Sequence, residues 1–164
     1  MANKHPIELF MPPNMLKAKV GGTIVGGMDT AAIMRAEAAM DTLKTEFSDW
    51  FTSDVDRLSA CRDAFAADKS AKARDDLFRA GHDIRGQAAT FGFPLVARIA
   101  TSLCKLIEAM PSPEALPVLL VDAHVTAIRI IFRDKIKDMS SRMALELIEE
   151  LEARVAETTE AAAA

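Results

Sequence analysis

The most informative part of this 164-residue chain is the stretch LFRAGHDIRGQAATFGFPL, residues 77–95. On a helix with 3.6 residues per turn, its apolar side chains gather on one side. They are Leu77, Ala80, Ile84, Ala88, Phe91 and Leu95. His82 falls on the opposite side. Its neighbours there are Phe78, Arg85, Gly86, Ala89 and Phe93. This pattern predicts a helix that buries one face in a core and presents His82 to solvent.

A long helix is predicted before this stretch. Apolar residues recur at three- and four-residue steps from a Thr30 cap to about Ala67. The first part of this stripe consists of Ile33, Ala36, Met40, Leu43, Phe47 and Trp50. The second part consists of Val55, Leu58, Cys61 and Phe65. Acidic residues that suit a first helical turn leave open a restart at Thr52 or Ser53.

The predicted fold continues with the His82 helix and three helices after it. The His82 helix runs from about Ser70 to Thr90 or Gly92, and Pro94 opens the next helix at its first turn, where proline is tolerated. The apolar face of that next helix consists of Leu95, Ile99, Leu103, Leu106 and Ile107. The last two helices are predicted at about residues 114–134 and 140–158. Short loops between the helices predict an all-α, antiparallel four-helix bundle with an N-terminal extension and an additional C-terminal helix.

The chain is predicted to have three parts. Residues 1–28 hold four glycines and three prolines without a helical period, which predicts a flexible leader. Residues 29–158 are expected to form the helical bundle with its C-terminal helix. The alanine-rich residues 159–164 are expected to be a disordered tail.

Composition excludes several classes of protein. A formal net charge of −4 argues against a general nucleic-acid binder, which should carry a basic face. Cys61 and Cys104 lie in apolar helical patterns without metal-type spacing, which predicts reduced core cysteines. No signal peptide is visible, and the longest apolar run, residues 115–121, is too short to span a bilayer. We therefore expect a cytoplasmic protein that binds neither nucleic acid nor membranes.

Positive charge is concentrated around His82. Between Lys69 and Lys105 there are seven basic and three acidic residues, whereas the rest of the chain is strongly acidic. A basic patch on an acidic protein suits a phosphate or an acidic partner. His124 lies among apolar residues of a predicted helix and is interpreted as structural. His5 lies in the predicted leader, and the three histidines of the chain show no metal-ligand spacing.

The helix around His82 combines three features that suit phosphoryl transfer. An exposed imidazole offers a neutral, nucleophilic nitrogen at pH 7. Arg85 places a cation beside it that would neutralise phosphoryl oxygens. Gly86 costs about 1 kcal/mol relative to alanine in a helix interior, and it removes a side chain that would shade the ring. The competing interpretation is an ordinary surface histidine.

Residues 82–93, HDIRGQAATFGF, resemble the phosphoacceptor helix of histidine phosphotransfer (Hpt) domains. The pattern of that family is His-x-(Leu/Ile)-(Lys/Arg)-Gly, followed after about five residues by a second glycine. Residues 103–108 are similar to the family's following helix, and residues 90–93 are similar to the phosphotransfer domain of chemotaxis kinases. The resemblance covers roughly residues 36–135 and implies a four-helix bundle of the stand-alone bacterial type.

The resemblance implies that His82 accepts a phosphoryl group on Nε2 and relays it between receiver-domain aspartates of a two-component phosphorelay. It assigns Arg85 to stabilisation of the phosphoryl group and Gly86 to access. Gln87 replaces the small residue often found there and is expected to offer a hydrogen bond. Cys104 stands where chemotaxis-type domains use a glutamate to orient the histidine. The residues expected to bind the partner are Phe78, Arg79, Ala89 and Phe93.

The partners that the resemblance implies are response-regulator receiver domains and a hybrid or cognate histidine kinase. The protein would be a phosphotransfer intermediate without kinase activity of its own, and therefore not an enzyme. We expect no metal or cofactor on this chain, and Mg²⁺ on the partner receiver domain. The residues leave the oligomeric state open. The alternative function is a helical adaptor that binds a receiver domain or a histidine kinase without being phosphorylated.

Overall fold

The computed structural model describes residues 30–137 and 140–163. The predicted leader, residues 1–28, and the side chain of Leu43 lie outside this description. The chain divides into two units, residues 1–40 and 41–164. The described residues form five helices and no strand, and none of these helices is both long and apolar enough to cross a membrane. The helices are α1 (Thr30–Ala67), α2 (Ala71–Ala88), α3 (Pro94–Ala109), α4 (Val118–Arg133) and α5 (Arg142–Ala163).

Helix α3 is the centre of the bundle. It packs against α2, α4 and α5, and α4 also packs against α5. Because other helices cover it on several sides, α3 buries residues around most of its circumference. These residues are Leu95, Val96, Ile99, Ala100, Ser102, Leu103, Cys104, Leu106 and Ile107. The predicted all-α bundle is confirmed, and so is the position of Pro94 in the first turn of α3.

Helix α1 is continuous, without a restart at residues 52–53. Its fully buried side chains are Phe51, Val55, Leu58 and Phe65. The apolar stripe noted in the sequence is not one buried face, since Ile33, Met40 and Trp50 are exposed, Trp50 to 59%. The buried face of α1 includes Phe51, whose side chain points about 100° away from that of the exposed Trp50. Spacing shows which side chains share a face, but not which face a neighbour covers.

Both ends of α2 are capped by local hydrogen bonds. At the N-terminus the Ser70 hydroxyl accepts a hydrogen bond of 3.2 Å from the backbone N–H of Ala73. At the other end the N–H of Phe93 donates to the carbonyl of Ala88 at 2.8 Å, and Gly92 adopts a φ of +78°. This left-handed residue followed by a backward hydrogen bond is the Schellman motif, which requires glycine for its turn. The motif reverses the chain and brings α3 alongside α2.

Helix α4 begins later than predicted, and α5 ends later. The helix α4 starts at Val118 rather than near residue 114, because Pro117 disfavours helical conformation in the residue that precedes it. The helix α5 continues to Ala163, through most of the segment 159–164 that was expected to be a tail. Alanine is the strongest helix former, so this sequence favours extension of the helix.

An ion pair and an apolar face attach α5 to α3. The guanidinium of Arg98 donates two hydrogen bonds of 2.7 and 2.6 Å to the carboxylate of Glu152. This paired geometry holds the pKa of Glu152 below its ordinary value. The apolar side chains that α5 buries are Ala144, Ile148, Leu151 and Val155. The apolar burial stabilises the contact, and the bidentate pair fixes its register.

Gly81 permits the close contact between α2 and α3. It is buried, and a Cβ added to it would lie 3.5 Å from Leu103 Cδ2 and 3.6 Å from Cys104 Sγ. Those distances are ordinary van der Waals contacts, so a methyl group fits at this position. Any atom beyond Cβ would overlap with α3, which means that a small residue sets the distance between the two helices.

Substitution of Gly81 by alanine and by leucine should therefore change stability in opposite directions. Gly81→Ala should raise the free energy of unfolding by about 0.5–1 kcal/mol, because it adds helix propensity without a clash. Gly81→Leu should lower it by about 1–3 kcal/mol through overpacking. Urea unfolding followed by circular dichroism measures both changes. A leucine variant as stable as the alanine variant would show that the helices are not held at this distance.

Candidate functional site

His82 lies on the exposed side of α2. The buried residues of the same helix are Leu77, Ala80, Gly81, Ile84 and Ala88, so the predicted apolar face is confirmed within α2. The His82 imidazole makes no hydrogen bond within the described residues, and its ring centroid lies 6.0 Å from that of Phe78. Among the described residues, therefore, no group occupies either ring nitrogen, and the imidazole is accessible to a reaction partner.

Open space borders His82 on the side of the following turn. A Cβ added to Gly86 would meet no atom within 4 Å, and Ala89 is exposed as well. Arg85 and Gln87 are half-buried, and their side chains form no hydrogen bond or ion pair in the described part of the chain. The surface next to His82 thus combines small residues with polar side chains whose donors remain available.

An ion pair that the sequence did not predict lies beside His82. Asp83 binds the guanidinium of Arg57 on α1, and Asp54 lies 3.6 Å from the same guanidinium. The hydrogen bond to Asp83 raises the pKa of Arg57 above its ordinary value. Because Arg57 neutralises the carboxylate adjacent to His82, the exposed Arg79 and the half-buried Arg85 leave this surface positively charged. Arg57 and Asp83 are 26 positions apart, so helical spacing in the sequence could not predict that they form a pair.

Cys104 lies beneath the His82 helix, on α3. It is fully buried, and its sulfur packs against Gly81. Burial raises the pKa of the Cys104 thiol to about 11, so the thiol is protonated and uncharged at neutral pH. Cys104 therefore supplies packing and no negative charge at the position where a glutamate was expected in chemotaxis-type domains. Cys61 is half-buried, and both cysteines are free thiols.

The prediction that Phe93 shares the exposed face with His82 was wrong. Phe93 is only 6% exposed and belongs to the hydrophobic core. The prediction assumed 100° of rotation per residue up to Phe93, but α2 ends at Ala88. Beyond that point the Schellman turn directs the Phe93 side chain back onto the end of the helix. Phe78 is half-buried and packs partly against the core. Of the predicted partner-binding residues, Arg79 and Ala89 are exposed.

His124 occupies a different environment from His82. It is completely buried on α4, with Nδ1 at 2.7 Å from the carbonyl oxygen of Leu120 and Nε2 at 3.1 Å from the hydroxyl of Ser102. Both nitrogens are occupied by hydrogen bonds, and desolvation lowers the pKa of the imidazole. His124 therefore joins α4 to α3 as a neutral structural residue.

The described residues contain no group of three histidine, cysteine or acidic side chains arranged to hold a metal ion. What the surface around His82 offers instead is a nucleophilic nitrogen, nearby cations and unobstructed approach. A nitrogen nucleophile next to guanidinium groups can accept a phosphoryl group and stabilise the charge on its oxygens.

A protein-family model described as Hpt domain matches residues 43–157. The matched segment is most of the chain and includes His82 and the whole of α2, α3 and α4. Comparisons with curated proteins and with solved structures found no match.

The buried His124 should make stability depend on pH. Its ordinary pKa of 6.5 is lowered in the folded protein, so below that pH the unfolded chain binds a proton that the folded chain does not. The free energy of unfolding should therefore fall as the pH drops below about 7. His124→Leu should show a shallower decrease in urea unfolding over the same range. Other titrating groups contribute equally to wild type and to the variant, so the difference between the two reports His124 alone. If the free energy of unfolding changed with pH equally in both proteins, the prediction would be contradicted.

Proposed function

Because the chain belongs to the Hpt domain family, we propose that it carries a phosphoryl group on His82 between receiver-domain aspartates of a two-component phosphorelay. Hpt domains act in phosphorelays as phosphotransfer intermediates and are generally not enzymes in their own right. Family membership therefore implies histidine phosphotransfer with histidine kinases and receiver domains as partners. The assignment to His82, and to relay between receivers, is our proposal.

The contrast between the two described histidines carries this proposal. The imidazole of His82 is exposed and makes no hydrogen bond within the described residues, whereas both nitrogens of His124 are buried and hydrogen-bonded. A phosphoryl donor on another protein can approach only an exposed nitrogen with a free lone pair. His82 meets that requirement, and it lies on a basic surface that suits phosphate.

In the proposed step, the lone pair on Nε2 of His82 attacks the phosphorus of an aspartyl phosphate on a receiver domain. A nitrogen–phosphorus bond forms while the bond between phosphorus and the aspartyl oxygen breaks. The electron pair of the broken bond leaves with the aspartate as a carboxylate, and the proton on Nδ1 stays on the ring. Transfer to a second receiver reverses these events. We expect Mg²⁺ to be held by the receiver and not by this chain.

Side chains next to His82 would stabilise the transferred group. Arg85 has no ion-pair partner in the described residues, so its guanidinium can donate to phosphoryl oxygens as their charge increases. Gln87 can add a neutral hydrogen bond. The carboxylate of Asp83 would repel a phosphoryl group, and its pairing with Arg57 weakens that repulsion.

Small residues would let the receiver reach the imidazole. Gly86 and Ala89 leave the side of the following turn open, while the half-buried Phe78 and the exposed Arg79 border the preceding turn. Phe78 offers an apolar contact and Arg79 a positive charge on one side of His82, while the small residues leave the other side open. This combination suits a partner whose active site is acidic. Phe93 is buried and has no place in this surface.

Replacement of His82 by glutamine should abolish phosphorylation. The test uses receiver domains from the same organism, each labelled with radioactive acetyl phosphate in the presence of Mg²⁺ and then mixed with this protein. Wild type should take up label that is labile in acid and stable in alkali, as expected for phosphohistidine, and His82→Gln should take up none because glutamine lacks the nucleophile. Label on the variant equal to that on wild type would refute the assignment. Binding of a receiver without any transfer to wild type would support the adaptor function instead.

Substitutions at Gly86 should separate stability from access. Gly86→Ala should raise the free energy of unfolding by about 0.5–1 kcal/mol, because the position is helical and open. Gly86→Leu should also fold, but should slow phosphotransfer from a receiver about tenfold or more by shading the imidazole. Ala66→Leu, at an exposed position of α1, is the matched control and should leave the rate unchanged. Transfer to the Gly86→Leu variant at the wild-type rate would contradict the access role.

A further inference from the structure

Five of the eight phenylalanines of the chain surround one cavity, next to the turn between α2 and α3. The cavity has a volume of about 640 Å³, which lies within the range of small-molecule sites in proteins. The five residues are Phe47, Phe51, Phe91, Phe93 and Phe132. Their rings contact one another with centroid distances of 5.0 to 5.8 Å. The buried Phe51 and Phe93 are fixed by the core, so the cavity has a preformed aromatic wall.

Three cations lie around the same cavity. They belong to the end of α4 and the residues that follow it, namely Arg133, Lys135 and Lys137. Arg133 is paired with the adjacent Asp134 at 2.7 Å, whereas neither lysine has a carboxylate partner in the described part of the chain. The ammonium of Lys137 lies 4.8 Å from the ring centroid of Phe93, so it already points across the aromatic wall.

We propose that this cavity binds a small amphipathic anion that has an aromatic or branched hydrocarbon body and one carboxylate or sulfonate group. The phenylalanine rings would remove the hydrocarbon body from water, which is the main source of affinity in such sites. The anionic group would bind Lys135 and Lys137, neither of which has a carboxylate partner among the described residues. The phenylalanine rings alone would bind any hydrophobic molecule of suitable size. The two lysines make the cavity selective for a molecule that carries a negative charge.

This site is separate from the residues proposed to transfer phosphate. None of the side chains around the cavity is His82, Arg85, Gly86 or Gln87. The proposal therefore does not rest on the proposed phosphotransfer function, and either of the two can fail without the other.

A matched pair of fluorescent probes tests the selection for charge. One is 8-anilinonaphthalene-1-sulfonate, and the other is N-phenyl-1-naphthylamine, which has the same aromatic body without the sulfonate. Wild-type protein should bind the sulfonate at a single saturable site about tenfold more tightly than the neutral probe, because only the sulfonate pairs with the lysines. Raising the salt concentration should weaken binding of the sulfonate and leave the neutral probe unchanged.

Two double variants locate the anion. Lys135→Gln/Lys137→Gln should weaken binding of the sulfonate about tenfold and change the affinity of the neutral probe less than about twofold. Lys69→Gln/Lys72→Gln removes two exposed lysines before and at the start of α2, and should change neither affinity. Phe47→Ala, in the cavity wall, should weaken both probes. Circular dichroism without probe verifies the fold of each variant.

The proposal is overturned if both probes bind wild type with equal affinity, or if sulfonate binding is insensitive to salt. It is also overturned if the two double variants weaken the sulfonate equally, since the effect would then reflect net charge alone. Should the Lys135→Gln/Lys137→Gln variant fail to fold, the salt dependence of the two probes on wild type decides the question.

Discussion

Burial of the apolar surface of α3 organises the packing of the other helices. Nine of its sixteen residues are buried, and α2, α4 and α5 all pack against it. Each fully buried aliphatic side chain contributes about 1.5–3 kcal/mol relative to an exposed one, so few alternative arrangements of these helices compete. Because α2 turns its apolar face to α3, the opposite face of α2, with His82, must point outward. Exposure of the histidine is a consequence of packing on the other side of its helix.

Two histidines of one bundle show how environment separates their chemistry. His82 is exposed on α2, with the ring of Phe78 nearby, and the carboxylate of the next residue, Asp83, is paired with Arg57. His124 is held between a carbonyl and a hydroxyl in the interior, where burial favours its neutral form. A nitrogen that already holds a hydrogen bond in the core has no lone pair left for a partner. The same side chain is left open to solvent in one place, where we propose that it acts as a nucleophile, and connects two helices in the other.

The turn after α2 affects two separate surfaces. Gly92 takes the left-handed conformation that ends the helix, and the backward hydrogen bond from Phe93 directs its ring into the core. That ring is removed from the neighbourhood of His82 and becomes part of the aromatic wall between α1 and α4. The segment after α4 then brings its cations to the same wall. One local turn therefore decides which aromatic side chains can serve the exposed face of α2 and which line the cavity.

Local sequence was enough to predict the helical class, the apolar faces of α2 and α3, the approximate limits of the His82 helix at Ser70 and Gly92, and the outward direction of His82. These features follow from spacing and local hydrogen bonds, which act within a few residues of the chain. Tertiary structure decided which face of α1 is covered, where Phe93 points, and that Arg57 pairs with Asp83. It also decided the convergence of five phenylalanines and three cations on one cavity. Those features join residues far apart in sequence, and only the packing of whole helices brings such residues together.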